Sequence, residues 1–383
     1  MSSEYQTSIY QLAIFGCIDG IGRRTLEKVL KYRSLRGWSW RDLWVPTADV
    51  ITFLSLSTKQ VKSIQNTSKE HIEDSLSKGI TENYFRLIGT ESEEYPPLLK
   101  EVENPPPLLY VQGAVLEWNE CTTPIAIVGT RNMTAYGRCV TEKITSELVD
   151  RNVIIVSGLM YGVDSAAHLT AVRCAGKTIA VLGYGFDHCY PEEHRPVLEE
   201  LLRHGATFIS EYPPWKVAKK GNFPARNSIV AGMSAAVVVT EAALKSGSMI
   251  TVQFAIDEGR SVCAVPGPIT NPYCEGTKWL INEGATLVSS GDEVLDQIYS
   301  SIPQQKGKHM MKKAGPNRSP SLKRHSQASP LGQKILTCLA HAPAEIETIE
   351  QETGGNQQEL MGELTALELL SLIERSGSHW TLI

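Results

Sequence analysis

Residues 125–128 read Ile-Ala-Ile-Val, and residues 153–156 read Val-Ile-Ile-Val. Between them, Tyr136–Asp150 has the amphipathic spacing of a helix. An apolar run without alternation indicates a strand that is covered on both faces. A strand, a helix and a second strand in this order indicate a right-handed crossover. These stretches therefore predict a parallel sheet with helices on its faces.

The same pattern continues through the middle of the chain. Strand-like runs lie at Ile125–Val128, Val153–Val156, Thr178–Leu182, Thr207–Ile209, Ala236–Val239, Val262–Val265 and Thr286–Val288. Amphipathic segments such as Ser248–Glu258 separate most of them. The prediction is an α/β fold whose doubly wound, mainly parallel sheet spans residues 125–300.

Two segments precede the predicted sheet. Residues 1–75 are expected to form a helical module, of the helix-hairpin-helix or SAM-like kind. Its Gly20-Ile21-Gly22 turn exposes backbone N–H groups to a phosphate in one interpretation and is a plain turn between helices in the other. Residues 76–124 are expected to be a proline-rich connector with a short strand at Leu108–Val111.

Two segments follow the predicted sheet. Residues 301–330 hold seven basic residues and no acidic one, with few apolar residues, and are predicted to be a basic flexible linker. Residues 331–383 are predicted to be a winged-helix-like domain. Its helices would be Leu331–Leu339, Ile346–Thr353 and Gln357–Leu370, and Leu372–Ile373 would pair with Trp380–Ile383. This last segment is acidic, so we expect it to contact protein rather than duplex DNA.

Composition excludes several classes of protein. The 383 residues carry a net charge of −5, and the eight cysteines lack CxxC or zinc spacing, which indicates reduced thiols and a cytoplasmic protein. No apolar run approaches the ~20 residues of a membrane helix, so no membrane partner is expected. No GxGxxG or GxxxxGK[ST] pattern is present, and no catalytic or metal-binding set can be assembled. We therefore expect that the protein binds no cofactor or metal and is not an enzyme.

Polar turns follow several predicted strands. They comprise Gly129 to Asn132 with Arg131, Ser157-Gly158, and Ser246-Gly247-Ser248. The carboxyl ends of parallel strands meet at one edge of a sheet, so such turns together form an anion-binding groove. Each turn taken alone is also compatible with a purely structural role. Asp164 and His168, four residues apart, fit a helix cap and a buried histidine better than a catalytic pair.

The segment 211–230 combines cations with aromatic residues. Lys216, Lys219, Lys220 and Arg226 are interleaved with Tyr212, Trp215 and Phe223. Cations that follow a phosphate backbone and aromatic rings that stack on bases are the two components of a single-strand binding site. Asn227 follows Arg226 at a predicted helix start, which also attracts phosphate. The alternative is a solvated lysine run beside aromatic residues of the core.

The order of these motifs resembles the DNA-processing protein A family (DprA, also called Smf). The resemblance covers about residues 125–290 and rests on Ile127-Val128-Gly129-Thr130-Arg131, Ser157-Gly158-Leu159, Gly162-Val163-Asp164, Ala167-His168, Val181-Leu182-Gly183, Tyr190-Pro191, Ser210-Glu211-Tyr212-Pro213, Phe223-Pro224-Ala225-Arg226-Asn227, Ser246-Gly247-Ser248, Val265-Pro266-Gly267 and Gly276-Thr277. It implies an extended Rossmann-like fold that binds single-stranded DNA without cutting it. It also implies protection of incoming DNA in natural transformation, loading of the RecA recombinase, and a homodimer.

The resemblance assigns roles to individual residues. Arg131 would hold a phosphate, Lys220, Gly221 and Phe223 would form a base-binding pocket, and Arg226 with Asn227 would contact phosphate. The chain departs from the family pattern at Ser228, where a second arginine is usual, and at Lys278, where asparagine is usual.

Two other functions stay open at this point. Glu241 beside Ser246-Gly247-Ser248 loosely resembles the site of Rossmann-like nucleotide-processing enzymes of the phosphoribohydrolase kind, although their usual Pro-Gly-Gly-x-Gly-Thr loop is missing. A purely structural interaction protein is the third possibility.

Overall fold

The computed structural model describes residues 3–115, 117–119, 123–301, 329–339, 344–354, 357–369, 373–376 and 379–382. The chain divides into two compact units, Met1–Pro303 and Gln304–Ile383. Most of the predicted basic linker, at 302–328, lies outside the described residues, as do Leu370, Leu372 and Ile383.

The first unit begins with a helical segment. Its helices are α1 (Ser3–Gly16), α2 (Arg23–Arg36), α3 (Trp40–Trp44), α4 (Ala48–Leu54), α5 (Thr58–Asn66) and α6 (Lys69–Thr81). Hydroxyls of Thr47, Ser57 and Ser68 accept a backbone N–H at the starts of α4, α5 and α6, as capping residues do. Leu12 and Phe15 of α1 are fully buried, so this helix forms the centre of the segment's core.

A nine-stranded sheet follows. Its strands are β1 (Arg86–Gly89), β2 (Leu108–Gly113), β3 (Thr123–Val128), β4 (Val153–Ser157), β5 (Thr178–Leu182), β6 (Thr207–Ser210), β7 (Ala236–Val239), β8 (Ser261–Ala264) and β9 (Thr286–Leu287). The strand order is β1-β2-β6-β5-β4-β3-β7-β8-β9. The pairs from β6 to β9 along this order are parallel. The predicted α/β fold with a doubly wound, mainly parallel sheet is thus confirmed.

The predicted connector contributes to this sheet. β1 and β2 pair antiparallel, and β2 pairs antiparallel with β6, with Tyr110 opposite Ser210. The strand predicted at Leu108–Val111 is present, whereas β1 and the short helix α7 (Pro97–Lys100) were not predicted. Residues 76–124 therefore include part of the sheet rather than a connector alone.

Helices cover both faces of the sheet. They are α8 (Ala135–Val149), α9 (Val163–Arg173), α10 (Arg195–Arg203), α11 (Asn222–Gly232), α12 (Ser248–Asp257), α13 (Glu275–Asn282) and α14 (Gly291–Ser301). Alternate residues of β3 belong to different cores: Ala126 and Val128 to one, Ile125 and Ile127 to the other. Because side chains alternate along a strand, a strand buried on both faces has an unbroken apolar sequence.

The second unit is described by itself. It contains α15 (Pro330–Leu339), α16 (Ile346–Thr353) and α17 (Gln357–Leu369), with a sheet of β10 (Ala344–Glu345), β11 (Ile373–Ser376) and β12 (His379–Leu382). Ile335, Leu364 and Trp380 lie in its core. The three predicted helices and the hairpin are present, and the winged-helix assignment stays a prediction. Among the described residues, no helix has the length and apolar content that crossing a bilayer requires.

Candidate nucleic-acid interface

A pocket of about 540 Å³ lies at the point where the strand order reverses, between β3 and β7. In open α/β sheets this switch point, at the carboxyl ends of the strands, is where ligands bind. Nine of the thirteen predicted site residues line the pocket: Arg131, Gly158, Lys220, Phe223, Arg226, Asn227, Ser246, Gly247 and Ser248. Residues from four separate loops thus meet in one place.

The turn after β3 presents Arg131 on a fixed backbone. The Thr130 N–H donates to the Glu241 carbonyl at 2.7 Å, and the Val163 N–H donates to the Thr130 carbonyl at 3.2 Å. The Thr130 hydroxyl also accepts the Asn132 N–H at 3.1 Å. Arg131 itself is exposed at the pocket wall. A planar guanidinium on a rigid turn is well suited to hold a phosphate.

The carboxylate of Glu241 is fully buried and bound by other protein groups. It accepts the Thr134 N–H at 2.8 Å, the Thr134 hydroxyl at 2.6 Å and the Asn271 side-chain amide at 2.8 Å. Glu241 therefore holds the start of α8 against the turn that contains Asn271, and it does not line the pocket. A general acid or base must reach its substrate, so this geometry disfavours the nucleotide-processing alternative.

The guanidinium of Arg226 forms the floor of the pocket, and the residue is only 4% exposed. It donates to the carbonyls of Gly158 and Val181, the latter at 2.8 Å, and to the Asn227 side-chain oxygen at 3.0 Å. A Cβ on Gly158 would clash with the Arg226 guanidinium, so a larger residue at this position would displace the arginine from its carbonyl partners. Burial lowers the pKa of Arg226. The negative charge of the nearby Asp164 carboxylate acts in the opposite direction but does not cancel this effect. These contacts indicate a positioning role for Arg226.

Asp164 and His168 belong to the same buried layer. Asp164 accepts the N–H groups of Gly158 at 3.2 Å and Met160 at 3.4 Å, so it closes the turn after β4. The N-cap of α9 is Gly162, and Asp164 lies in the first helical turn rather than at the cap. Burial, together with the charge of Arg226, lowers the pKa of His168 to about 3. A buried, neutral histidine that bonds the Thr178 hydroxyl at 2.7 Å is structural.

The segment 211–230 contributes several of the residues that line the pocket. Helix α11 begins at Asn222, four residues before the helix start expected at Arg226. The Asn222 amide donates to the Gly183 carbonyl at 2.9 Å, which ties the segment to the end of β5. The Phe223 ring faces the Tyr190 ring at a centroid distance of 5.3 Å. Lys220 is exposed beside this aromatic pair.

Four predicted residues lie outside the pocket. The Ser157 hydroxyl is buried and donates to the Ile127 carbonyl at 2.7 Å, so it stabilises the sheet instead. Lys219 and Gly221 are exposed on the loop but do not line the pocket, and Lys278 is exposed on α13. The contact of these three with DNA stays a prediction.

One pocket cation was missed by the sequence reasoning. Lys245 is exposed and lines the pocket directly before the Ser246-Gly247-Ser248 turn. The hydroxyls of Ser246 and Ser248 bond each other at 2.8 Å. The Asn227 side-chain amide donates to the Gly247 carbonyl at 3.4 Å, which joins this turn to α11. The signal available was a lysine adjoining a hydroxyl-rich turn after a predicted strand.

The helical segment is attached to the pocket loop through Arg23. Its guanidinium donates twice to the Glu211 carboxylate at 2.6 Å and also to the Ser228 hydroxyl at 3.2 Å. Asp19 pairs with Lys216 at 3.7 Å. The Ser228 hydroxyl thus accepts a hydrogen bond from Arg23 of α2.

The arrangement combines charge with stacking surface. Exposed Arg131, Lys220 and Lys245 surround the pocket, while its one acidic lining residue, Asp164, is buried. Phosphates would meet the cations and a base would meet Phe223. Among the described residues, no group of three or more His, Cys, Asp or Glu side chains is placed to hold a metal ion.

Comparison with known proteins gives one consistent result. The family model for DNA recombination-mediator protein A matches residues 86–299. Protein Smf of Escherichia coli is 34% identical over 326 residues, which are 85% of this chain and 84% of that protein.

Solved structures agree with this match. DNA processing protein A from Streptococcus pneumoniae is 32% identical with a TM-score of 0.64, over 76% of this chain and 97% of that one. DNA processing protein A from Helicobacter pylori, whose single-stranded DNA binding mode has been described, is 27% identical with a TM-score of 0.50, over 58% of this chain and 99% of that one.

Proposed function

The chain belongs to the DNA recombination-mediator protein A family, and from this premise we propose that it binds single-stranded DNA in the pocket between β3 and β7. The observation that carries the proposal is the ring of three exposed cations, Arg131, Lys220 and Lys245, around the contacting rings of Phe223 and Tyr190, which are tilted by 43° to each other. Cations that neutralise phosphates and a ring that stacks on a base are both needed by a single-strand binder.

The pocket's rigidity supports the proposal. Glu241, Asp164 and Arg226 are buried and fix the loops through hydrogen bonds, so the backbone that carries the cations needs little ordering on binding. A preorganised site loses less conformational entropy when it binds. The role of Arg226 in this proposal is therefore to position Gly158 and Asn227 rather than to meet the phosphate itself.

The wider role follows from family membership. We propose that the protein protects single strands that enter the cell during natural transformation and loads a RecA-type recombinase onto them, as a homodimer in the cytoplasm. It would act by binding, without catalysis or a cofactor. The acidic segment 331–383, with Glu347, Glu350 and Glu363 on its helices, would contact protein rather than DNA.

Oligo-dT binding over a salt series tests the site. Arg131→Ala and Lys220→Ala should each weaken binding and reduce the slope of log K against log salt by about 0.7, the value for one phosphate on a single strand. Phe223→Ala should weaken binding about 5- to 150-fold with an unchanged slope, because it removes stacking and no charge. Unchanged affinity in all three variants would refute the site assignment.

Two further assays address the wider role. Recombinase filament formation on single strands should accelerate when the protein is added. Competition between single-stranded and duplex DNA should favour the single strand. Preference for duplex DNA would contradict the proposed substrate.

A further inference from the structure

A second groove, of about 730 Å³, lies on the other side of the loop that begins at Pro213. It is formed where the end of α6 and the start of β1 face that loop. Trp215 and Tyr84 line it, and Trp215 is 37% exposed. We call this surface the Trp215 groove. None of its lining residues belongs to the pocket described above.

One loop borders both cavities. The Gly185 N–H donates to the Lys216 carbonyl at 2.8 Å, and the Asp187 N–H donates to the Pro214 carbonyl at 3.0 Å. Farther along, Asn222 is tied to Gly183. Trp215 therefore lines the groove and Lys220 lines the pocket, five residues apart on one anchored segment. A single strand that continued from the pocket along this loop would meet Trp215.

The polar groups of the groove suit a base better than a phosphate. Burial and the carboxylate of Asp187, which hydrogen-bonds the Tyr84 hydroxyl, raise the pKa of Tyr84. Asp187 and Glu82 would repel a phosphate but can accept hydrogen bonds from an N–H group of a base, such as the N3–H of thymine. His71 and Lys78 are exposed on α6 at the edge of the groove. There they would contact the phosphate backbone of a strand whose base lies in the groove.

The backbone of Trp215 is anchored by a neighbouring side chain. The His188 side chain donates from Nε2 to the Trp215 carbonyl at 3.0 Å. A partly exposed indole on a fixed loop is a stacking platform of the kind that single-strand binders use. Such binders engage up to ~16 nucleotides for each domain of a common fold, which is more than one pocket of this size holds.

We propose that the Trp215 groove is a second base-binding subsite for the same single strand. The base would stack on Trp215, and its edge would meet Asp187. This inference rests on the proposed function, because it extends the DNA path from the first pocket. It names Trp215 and Tyr84 as DNA-contacting residues outside the set that the sequence indicated.

Two oligo-dT lengths separate the subsites. A short oligonucleotide of about 4 nucleotides should fill the pocket alone, and one of about 16 should reach the groove as well. Trp215→Leu keeps apolar bulk but removes the indole, whereas Trp215→Phe keeps an aromatic face. Trp279→Leu, at a similarly exposed tryptophan that lines neither cavity, is the matched control.

In the full-length chain, Trp215→Leu should weaken binding of the long oligonucleotide about 5- to 150-fold and leave the short one unchanged. Trp215→Phe should retain most of the affinity, and Trp279→Leu should match the wild type. Photocrosslinking of bromodeoxyuridine oligonucleotides should label a peptide that contains Trp215 or Tyr84.

The outcomes distinguish the two proposals. If the wild type binds neither length, the proposed function fails. If the wild type binds both lengths and Trp215→Leu binds the long one equally well, or crosslinks map to the first pocket only, the subsite is refuted and the proposed function stands. Loss of the short oligonucleotide as well would mean that Trp215 supports the pocket loop, which also overturns the subsite.

Discussion

Replacing Arg23 by alanine should remove the main attachment between the helical segment and the loop that runs from Glu211 to α11. Arg23 contacts both ends of this loop: Glu211 at its start, and the Ala225 carbonyl and Ser228 on α11 at its end. It also donates to the Asn104 carbonyl before β2. The variant removes all five bonds and leaves the Glu211 carboxylate without the cation that it pairs with.

The magnitude follows from burial and geometry. Breaking a fully buried ion pair by removing one partner costs about 3–5 kcal/mol. The side chains of Arg23 and Glu211 are 20% and 10% exposed. A cavity of about 260 Å³ adjoins both residues, so water could reach the Glu211 carboxylate once Arg23 is replaced. We therefore expect a loss of about 2 kcal/mol in the free energy of unfolding, below the fully buried limit.

The effect on DNA should have a distinct signature. Arg23 does not line the pocket, so its loss should weaken oligo-dT binding without changing the salt slope. Lys220→Ala should reduce the slope. Urea unfolding and fluorescence anisotropy measure the two effects, and Arg24→Ala, an exposed neighbour, is the control.

A double-mutant cycle tests the pairing itself. The double variant Arg23→Ala with Glu211→Ala should be less destabilised than the sum of the single variants, because no buried charge is then left unpaired. Additive effects, or an Arg23→Ala protein as stable and as tight-binding as Arg24→Ala, would refute the reasoning.

Three further predictions concern the buried layer beneath the pocket. Gly158→Ala should lower both the Tm and the affinity for DNA, because its Cβ would displace the Arg226 guanidinium; an unchanged Tm in thermal unfolding would contradict this. Glu241→Gln should destabilise the fold by about 1–3 kcal/mol, since one buried N–H or O–H donor then faces an amide NH₂, and urea unfolding measures it. His168 has a pKa of about 3 when folded against 6.5 when unfolded, so the unfolded state binds more protons between these values and stability falls as the pH drops through 6.5. His168→Gln should flatten this dependence by up to about 1.4 kcal/mol per pH unit relative to the wild type, measured by urea unfolding at pH 5 to 7, and parallel curves would exclude the assignment.

Much of the sheet was predictable because a strand that is buried on both faces has a continuous apolar sequence. β3, β4 and β5 are buried on both faces and have unbroken apolar sequences. β1 has no such sequence, since only two of its four residues are buried and its pairing with β2 depends on contacts about twenty residues away. The start of α11 was misplaced because Pro224 suggests a loop, although a proline is tolerated in the first turn of a helix.

The pocket was predictable in outline and not in its division of roles. Arg131, Lys220 and Phe223 lie where the strand-end argument places them. Arg226 and Ser157 carry polar groups that suggested DNA contact, but both are buried and bonded to carbonyls. The partner of Arg226 at Gly158 is 68 positions away, so no local pattern shows that the guanidinium faces inward.

The sequence by itself determined the doubly wound sheet, the polar turns at its strand ends and two of the exposed pocket cations, Arg131 and Lys220, because hydrophobic periodicity and strand-end turns are local properties. Only the tertiary structure decided which polar groups face solvent. Arg131, Lys220 and Lys245 are exposed, whereas Arg226 and Glu241 are buried. The physical reason is that a buried charge must find its hydrogen-bond partners, and those partners come from loops that only the folded chain brings together.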